Sequence, residues 1–174
     1  MTRAVLSIGS NLGDRERHLR QAVRELGGSV ERASGVYETP PWGDADQPAY
    51  LNAVVLVSDP AAVPHDWLER AWAAETAAQR VRDPERRFGP RTLDVDVIAV
   101  YEDGRPVLSD DPELTLPHPR AHLRAFVLRP WHDIEPAAEL PGHGPIARLL
   151  ADPALAGDVA ALSPRPDLAL GLTA

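Results

Sequence analysis

The chain has 174 residues, of which 44% are hydrophobic, so it can bury the core of one domain. It has no cysteine, no apolar run of membrane-spanning length and no signal-peptide pattern at its N-terminus. Its formal net charge of −8 disfavours nucleic acid or an anionic membrane as a partner. We therefore expect a cytoplasmic protein without disulfides, with one domain over residues 1–162 and a tail over 163–174. We also expect a monomer, although nothing in the composition determines the oligomeric state.

The predicted secondary structure alternates strands and helices. In chain order, the long elements are a strand over residues 3–8, a helix over 14–26, a strand over 30–38, a strand over 50–57, a helix over 63–80 and a strand that ends at residue 100. Asp103-Gly104 predicts a hairpin before a short strand over 106–108, and short helices are expected near 120–127 and 146–150. The order β-α-β-β-α-β is that of a ferredoxin-like α+β sandwich, with helices on one face of a mainly antiparallel sheet and extra C-terminal elements.

Two carboxylates lie in the last long strand. Asp94 and Asp96 point to the same face, which they are expected to share with Ile98 and Val100. Like charges this close raise each other's pKa unless a cation offsets them, and oxygen ligands favour Mg²⁺. The alternative is a solvated face on which both acids pair with nearby arginines. The spacing alone leaves both interpretations open.

Arginines are concentrated just before these acids. The chain has no lysine, which excludes the lysine-dependent phosphate motifs of P-loop proteins and protein kinases. Between positions 80 and 91 the basic residues are Arg80, Arg82, Arg86, Arg87 and Arg91. With the break at Gly89-Pro90, this segment predicts either a loop that closes over an anionic substrate or a solvated surface loop.

A third group of residues could bind a flat heterocycle. Tyr50 and Asn52 fall on one face of the third strand, where an amide can both donate and accept hydrogen bonds. Trp42 and Phe126 could stack on such a ring, although these aromatic side chains could equally fill the core. His118 lies between two prolines and is either a turn residue or a ligand.

Five ordered motifs carry a family resemblance. They are GSNLG at 9–13, YETPPWG at 37–43, QPAYLN at 47–52, RFGPRTLDVD at 87–96 and LTLPHP at 114–119. Over roughly positions 3–136 the chain resembles the 6-hydroxymethyl-7,8-dihydropterin pyrophosphokinase family of folate biosynthesis. It departs from the family pattern at Phe88, where tryptophan is common, at Trp72, where a polar residue is common, and by one extra residue in the loop over 82–87.

The resemblance implies a transferase of the kinase type that moves pyrophosphate from ATP to the dihydropterin alcohol and releases AMP. Its partners would be these small molecules alone. Two Mg²⁺ would be held by Asp94 and Asp96, with Arg80 and Arg91 on moving loops that assist closure and transfer. The ATP-binding residues that it implies are Glu75, Arg82, Arg87, Arg91, Ile98, Thr115, His118 and Arg124. The pterin-binding residues that it implies are Thr39, Pro40, Trp42, Tyr50, Asn52, Phe88 and Phe126.

Two other classes of function are compatible with the fold. A catalytically silent sensor of the same fold could bind a nucleotide or a pterin, but binding alone does not require an acid pair beside an arginine loop. A metal-dependent nuclease is disfavoured by the net charge of −8.

Overall fold

The computed structural model describes residues 1–170. The strands are β1 (Thr2–Ser10), β2 (Val30–Ala33), β3 (Val36–Thr39), β4 (Tyr50–Asp59), β5 (Asp94–Glu102), β6 (Arg105–Pro106), β7 (Ser109–Asp110), β8 (Thr115–Leu116), β9 (Glu139–Leu140), β10 (Gly144–Pro145) and β11 (Ser163–Arg165). The α-helices are α1 (Arg15–Leu26), α2 (Pro64–Ala77), α3 (Ala125–Ile134), α4 (Ile146–Leu150) and α5 (Ala156–Ala160). Within this part of the chain, no helix is long and apolar enough to cross a membrane.

The main sheet is antiparallel and follows the order β11-β3-β4-β1-β5-β6, with β2 also paired to β4. Strand β1 lies at its centre, between β4 and β5, and all three strands are long and largely buried. Two small hairpin sheets, β7-β8 and β9-β10, lie apart from it. This strand order, with the chain order β-α-β-β-α-β, confirms the predicted ferredoxin-like α+β sandwich.

Helices α1 and α2 pack on one face of the sheet, and local chemistry sets their limits. Asp14 caps α1 by accepting a backbone N–H of its first turn at 3.1 Å, and Gly27, with φ of 56°, ends it. Helix α2 ends at Ala77 instead of at the predicted residue 80, because Gln79 adopts a φ of 56° that a right-handed helix does not allow. The early end places Arg80 on a loop beside β5.

Helices α3 and α4, which follow the β-α-β-β-α-β unit, cover the opposite face, so the sheet has helices on both sides. Trp131 and Leu128 of α3 belong to a second core that also contains Val5 and Leu56 of the sheet. The short helix expected near 120–127 is a 3₁₀ turn over 121–123 followed by α3. Helix α3 continues to residue 134 because its apolar residues keep the spacing of a buried helical stripe.

The predicted strand over 30–38 is divided into β2 and β3. At the break, Ser34 donates its backbone N–H to the carbonyl of Val54 and accepts the Val54 N–H with its Oγ, both at 2.9 Å. A side chain thus takes the place of one main-chain partner, and the ladder with β4 resumes after Gly35. Both short strands still pair with β4, so the sheet order is unaffected.

The segment predicted to be a tail begins as a strand of the main sheet. Ser163–Arg165 forms β11, which pairs with β3, and Arg165 Nη1 lies 3.1 Å from Glu38 Oε2. Leu170 is 8% exposed and packs in the core that α1 and α2 cover. The sheet therefore extends past the predicted boundary at residue 162, because edge pairing and burial beyond it are tertiary effects. Residues 171–174 of the predicted tail lie outside the described residues.

A β-bulge in β5 changes which residues share a face with the two acids. The register between β1 and β5 skips Ile98, which is an extra residue between Val97 and Ala99. Ile98 packs in the core beneath α3, whereas Val100 packs in the core beneath α1 and α2. The prediction that Val100 shares the face of the acids is therefore wrong, since strict alternation stops at the bulge.

Candidate active site

A cavity of about 550 Å³ lies along the open edge of β5. On one side β5 pairs with β1 from end to end, whereas on the other side β6 pairs only with Tyr101 and Glu102. The edge from Asp94 to Val97 therefore borders the cavity. The remaining walls come from α2, the loop over 80–91 and the segment over 112–124.

All but one of the residues predicted to bind ATP line this cavity. Those that line it are Glu75, Arg82, Arg87, Arg91, Thr115, His118 and Arg124. The exception is Ile98, which is fully buried beneath α3 and whose carbonyl accepts the N–H of His118 at 2.8 Å. Val97, the residue before it, lines the cavity.

Glu75 of α2 organises the mouth of the cavity. Its side chain is 6% exposed and receives Arg80 Nη1 at 2.6 Å, Arg82 Nη2 at 2.8 Å and the N–H of Val95 at 3.1 Å. Burial raises the pKa of this carboxyl group, and the charge of Arg80 opposes the rise. Glu75 thus connects the start of the arginine loop to the edge of β5.

Asp94 is covered by cations. Arg80 Nη1 lies 2.7 Å and Arg91 Nη1 lies 3.2 Å from its Oδ1. Burial would raise the pKa of Asp94, but the charges of Arg91 and Arg80 and their hydrogen bonds outweigh it, so that the pKa is lowered. In the free protein, Asp94 is an ionised carboxylate shared by two guanidinium groups.

The negative charge of Asp96 is less well compensated by arginines than that of Asp94. Asp96 Oδ2 accepts from Arg124 Nη1 at 3.0 Å and lies 3.9 Å from His118 Nε2. Burial and the neighbouring charge of Asp94 raise the pKa of Asp96 to about 7, although Arg124 opposes the rise. The position is therefore suited to an additional cation.

His118 is neutral at physiological pH. Burial, together with the charge of Arg124, lowers its pKa to about 4. Its Nδ1 accepts the backbone N–H of Arg120 at 3.1 Å, so the proton of the neutral ring lies on Nε2. His118 can therefore donate a hydrogen bond toward Asp96 or toward an oxygen in the cavity.

The acid pair fits Mg²⁺ by its chemistry, because both residues present oxygen ligands and Asp96 lacks a full counter-charge. In residues 1–170, no group of three or more His, Cys, Asp or Glu side chains could hold a metal ion. An ion at Asp94 and Asp96 would have to complete its coordination with water and substrate oxygens, which is the usual way in which proteins bind Mg²⁺.

A second, smaller cavity of about 50 Å³ adjoins the first. The seven residues predicted to bind the pterin all line it, namely Thr39, Pro40, Trp42, Tyr50, Asn52, Phe88 and Phe126. We call it the aromatic slot. Its volume suffices for a few water molecules, so a bicyclic heterocycle could enter only after side chains move. Phe88, Arg91, Asp94 and Arg124 line both cavities, which therefore meet at the acid pair.

The floor of the aromatic slot depends on a glycine. Gly9 of β1 lies opposite Asn52 of β4, and a Cβ on Gly9 would be 2.5 Å from Asn52 Oδ1. A side chain at position 9 would therefore displace the amide. Asn52 is 4% exposed and donates to Thr39 Oγ1 at 2.7 Å, which fixes its orientation across two neighbouring strands.

The cover of the slot consists of aromatic rings and one guanidinium group. Trp42 and Phe88 meet edge to face, with centroids 6.0 Å apart. The Cζ of Arg124 lies 5.1 Å from the ring centre of Trp42 and 5.6 Å from that of Phe126. Arg124 Nε is buried and has no hydrogen-bond partner among the described residues. A buried donor without a partner is costly, so this atom is available for a ligand.

Two supporting residues were missed as site residues, although they lie in motifs that carry the family resemblance. Asn11 Oδ1 accepts the N–H of Arg91 at 2.9 Å, and its Nδ2 donates to Gln47 Oε1 at 2.8 Å. Gln47 in turn donates to the carbonyl of Phe88 at 2.7 Å. The turn after β1 thus holds the arginine loop against the slot.

Trp72, which is 41% exposed, and Arg120 also line the large cavity.

The fold and the two cavities define an α+β protein in which an arginine-lined cavity meets an aromatic slot at a pair of acids. The model of the family described as 7,8-dihydro-6-hydroxymethylpterin-pyrophosphokinase (HPPK) matches residues 5–136. The chain belongs to this family, as the sequence motifs predicted.

Curated relatives agree over most of the chain. The 2-amino-4-hydroxy-6-hydroxymethyldihydropteridine pyrophosphokinase of Mycobacterium tuberculosis is 49% identical over 160 residues, which cover 87% of this chain and 84% of the relative. The proteins of the same name from Mycobacterium leprae and Bacillus subtilis are 50% and 38% identical, over 87% and 75% of this chain and 83% and 77% of their own lengths.

Solved structures show the same fold at low identity. A crystal structure of an HPPK-DHPS in complex with substrates has a TM-score of 0.61 and 12% identity, with 85% of this chain and 42% of that chain covered. Wild-type Plasmodium falciparum HPPK-DHPS with SDX-DHP has a TM-score of 0.61 and 14% identity, over 85% of this chain and 43% of that chain. This chain thus spans less than half of those two chains.

Proposed function

We propose that the large cavity binds ATP, that the aromatic slot binds the dihydropterin alcohol, and that Asp94 and Asp96 hold two Mg²⁺ between them. The chain is an enzyme of folate biosynthesis that transfers pyrophosphate to 6-hydroxymethyl-7,8-dihydropterin, and ATP is the co-substrate that its family implies. The observation that carries the assignment of the cavities is that they share Arg91, Asp94 and Arg124. A donor phosphate and an acceptor hydroxyl could meet there.

The two arginines that pair with Asp94 are the side chains that we expect to change partner when substrate binds. Asp94 and Asp96 would hold Mg²⁺, which would neutralise charge on the phosphate oxygens. Arg80 and Arg91, which now share Asp94, would then turn to the phosphate groups. Arg82 and Arg87 are exposed on the same loop and can close over the cavity. Cations on the loop and metal ions held by the two acids on a rigid strand would thus hold the triphosphate from two sides.

The acceptor is positioned by the strands beneath the slot. Asn52, fixed by Thr39, presents an amide that can both donate to and accept from a pterin edge. Tyr50 and Phe126 supply rings for stacking. Movement of Arg124 away from Phe126 would open the slot, and its Nε, which has no partner among the described residues, could then donate to the bound pterin.

The site contains no strong general base beside the slot among the described residues. His118 is neutral and uses Nδ1 to accept from the main chain, so its Nε2 acts as a donor. Asp94 is ionised but covered by two arginines. Phosphoryl-type transfer depends mainly on positioning and charge neutralisation, so this arrangement suits the reaction.

The test is to incubate the protein with ATP, Mg²⁺ and the pterin alcohol and to weigh the pterin product by mass spectrometry. A gain of both outer phosphate groups on the pterin is expected. A protein that binds both ligands and converts neither would be the silent sensor. The cytoplasmic location and the monomeric state remain predictions, and size-exclusion chromatography with light scattering tests the second of them.

A further inference from the structure

The arginines of the large cavity fall into two groups. Six arginines line it, and those with a carboxylate partner are Arg80, Arg82, Arg91 and Arg124. Arg87 and Arg120 form no ion pair with any described carboxylate within 4.0 Å. Their charges are therefore not compensated by the protein in the part of the chain that the structure describes. Uncompensated cations in a cavity are suited to an anionic ligand.

Arg120 differs from Arg87 in how its main chain is held. Arg87 is exposed on the loop, whereas Arg120 is half-buried at the start of the 3₁₀ turn over 121–123. The N–H of Arg120 donates to His118 Nδ1 at 3.1 Å, and its carbonyl accepts the N–H of Leu123 at 3.0 Å. Arg120 is thus a cation whose main chain is fixed in the segment over 112–124 and not in the arginine loop over 80–91. Its position therefore does not depend on closure of that loop.

Both guanidinium groups lie over the same ring. The Cζ atoms of Arg120 and Arg87 are 5.3 and 5.4 Å from the ring centre of Phe88. A cation–π contact at a partly exposed ring is weaker than a charge-assisted hydrogen bond to a phosphate. Phe88 can therefore hold these cations at rest and release them to a stronger partner. Because Phe88 lines both cavities, an anionic group that takes these cations from the ring would lie where the large cavity meets the aromatic slot.

We propose that Arg120 is a further ATP-binding residue that contacts the outer phosphate groups of the nucleotide. This inference rests on the proposed function of the large cavity. The apolar part of the cavity, with Leu68, Trp72 and Leu114, suits the nucleoside end, so the phosphate groups extend toward the acid pair and Phe88. The planar fork of the Arg120 guanidinium group can bind two phosphate oxygens in a bidentate geometry that the ammonium group of a lysine does not offer.

The alternative role for Arg120 is to hold Phe88 in place. The two roles differ in which ligand each variant affects. A residue that contacts only the outer phosphates changes the affinity for ATP and not that for AMP. A residue that only positions Phe88 changes the shape of the slot, and so it affects the pterin more than the nucleotide.

The experiment measures the dissociation constants of ATP and AMP in the presence of Mg²⁺ by calorimetry, without turnover. Arg120→Ala should weaken ATP binding about tenfold or more, the effect of losing one charge-assisted contact, and change AMP binding less than about twofold. Arg120→Lys should recover part of the loss. Arg105→Ala, which removes an exposed arginine on β6, is the matched control and should change neither constant.

A double-mutant cycle separates direct contact from action through the ring. Arg120→Ala should cost the same affinity for ATP in a Phe88→Leu background as in the wild-type protein, since the contact does not run through Phe88. If the loss disappears in that background, or if ATP and AMP weaken equally, Arg120 acts as a positioning residue and the proposal is wrong. Should Arg120→Ala fail to fold, Arg120→Gln keeps the unbranched stem and a polar end without the charge. A wild-type protein that binds neither nucleotide would overturn the proposed function itself.

Discussion

Asp94 and Asp96 project from the same face of β5, yet their carboxyl groups are shifted in opposite directions. The pKa of Asp94 is lowered because Arg91 and Arg80 outweigh its burial. The pKa of Asp96 is raised to about 7 by burial and by the charge of Asp94, which Arg124 offsets only in part. The pair thus carries one stable negative charge and one that is costly without a further cation, as expected of a metal site.

Replacing Asp96 with Ala should therefore reduce pyrophosphate transfer by at least about a hundredfold, the scale of losing a principal electrostatic stabiliser. Binding of the pterin without nucleotide should change much less, because Asp96 does not line the slot. The measurement is steady-state turnover at saturating Mg²⁺, with pterin binding measured by fluorescence. Near-normal turnover would mean that the acid pair does not hold the metal.

The same residue should limit the stability of the free protein at high pH. A carboxyl group whose pKa is raised in the folded state stabilises the fold at low pH and loses this contribution as the pH rises through the folded pKa of about 7. Asp96→Asn removes the titration, so its advantage over wild type should grow between about pH 4 and 7 and then level off. At pH 8 without Mg²⁺, we expect the Tm of Asp96→Asn to exceed that of the wild type by at least about 2–4 °C. For a chain of this length, such a gain corresponds to about 1 kcal/mol of unfolding free energy.

Thermal unfolding of the two proteins at several pH values checks this expectation. Asp110→Asn, on the exposed hairpin strand β7, serves as a control for the loss of a negative charge. A constant difference between Asp96→Asn and wild type across the pH range would show that the charge of Asp96 is already compensated in the free protein.

The parts of the site that could be predicted from sequence are those that leave a local pattern in the chain. The shared face of Asp94 and Asp96 follows from the period of two in a strand. The alternation fails at Val100 for a tertiary reason, because the bulge arises from the pairing of β5 with β1 and leaves no signal in the sequence of the strand. Most of the residues that line the slot lie in the family motifs, which are a local signal in the sequence.

Pairings between distant residues were equally inaccessible. Nothing near Glu75 indicates that it receives Arg80, Arg82 and a backbone N–H of β5, since the contacts form only when α2 packs beside that strand. Strand β11 has three residues, one of them proline, and it forms because β3 offers an open edge. Long, strongly patterned elements were predicted correctly, whereas short strands and charge networks required the folded chain.

Asn52 gives a prediction specific to the acceptor slot. Asn52→Ala should weaken pterin affinity by roughly 1–3 kcal/mol, because a buried polar partner of the heterocycle is lost. ATP affinity should barely move, since Asn52 lines the slot and not the large cavity. Calorimetry with each ligand separately makes the comparison. Equal losses for both ligands would indicate a folding defect, which circular dichroism would detect.

Arg91 should act mainly on turnover. It now pairs with Asp94, and its main chain is held by Asn11, so its side chain can change partner while the loop stays attached. Arg91→Ala is expected to lower kcat more than it raises the dissociation constant for ATP, because a cation that engages on closure stabilises the transition state preferentially. Arg24→Ala, on the exposed side of α1, is the matched control.

Closure can also be followed without turnover. Trypsin cleaves after arginine, and the segment over 80–91 contains two exposed arginines, Arg82 and Arg87, in the free protein. Cleavage there should slow when a non-reactive ATP analogue, Mg²⁺ and the pterin are all present. Equal protection of this segment with and without ligands would show that it does not close over the substrates.

The last prediction concerns which bond of ATP breaks. The slot meets the large cavity at Asp94, so the hydroxymethyl oxygen of the acceptor would approach the triphosphate at the acid pair and not at its far end. Attack at the β-phosphorus forms a new bond from that oxygen and breaks the bond to the oxygen that bridges the α and β phosphates, which leaves with AMP. ATP labelled with ¹⁸O at that bridge should therefore give labelled AMP and an unlabelled pterin pyrophosphate. Attack at the γ-phosphorus would give ADP, with the label still in its bridge, and a monophosphorylated pterin. Mass spectrometry of both products distinguishes the two, and pterin-dependent ADP would show that the reaction is assigned to the wrong phosphorus.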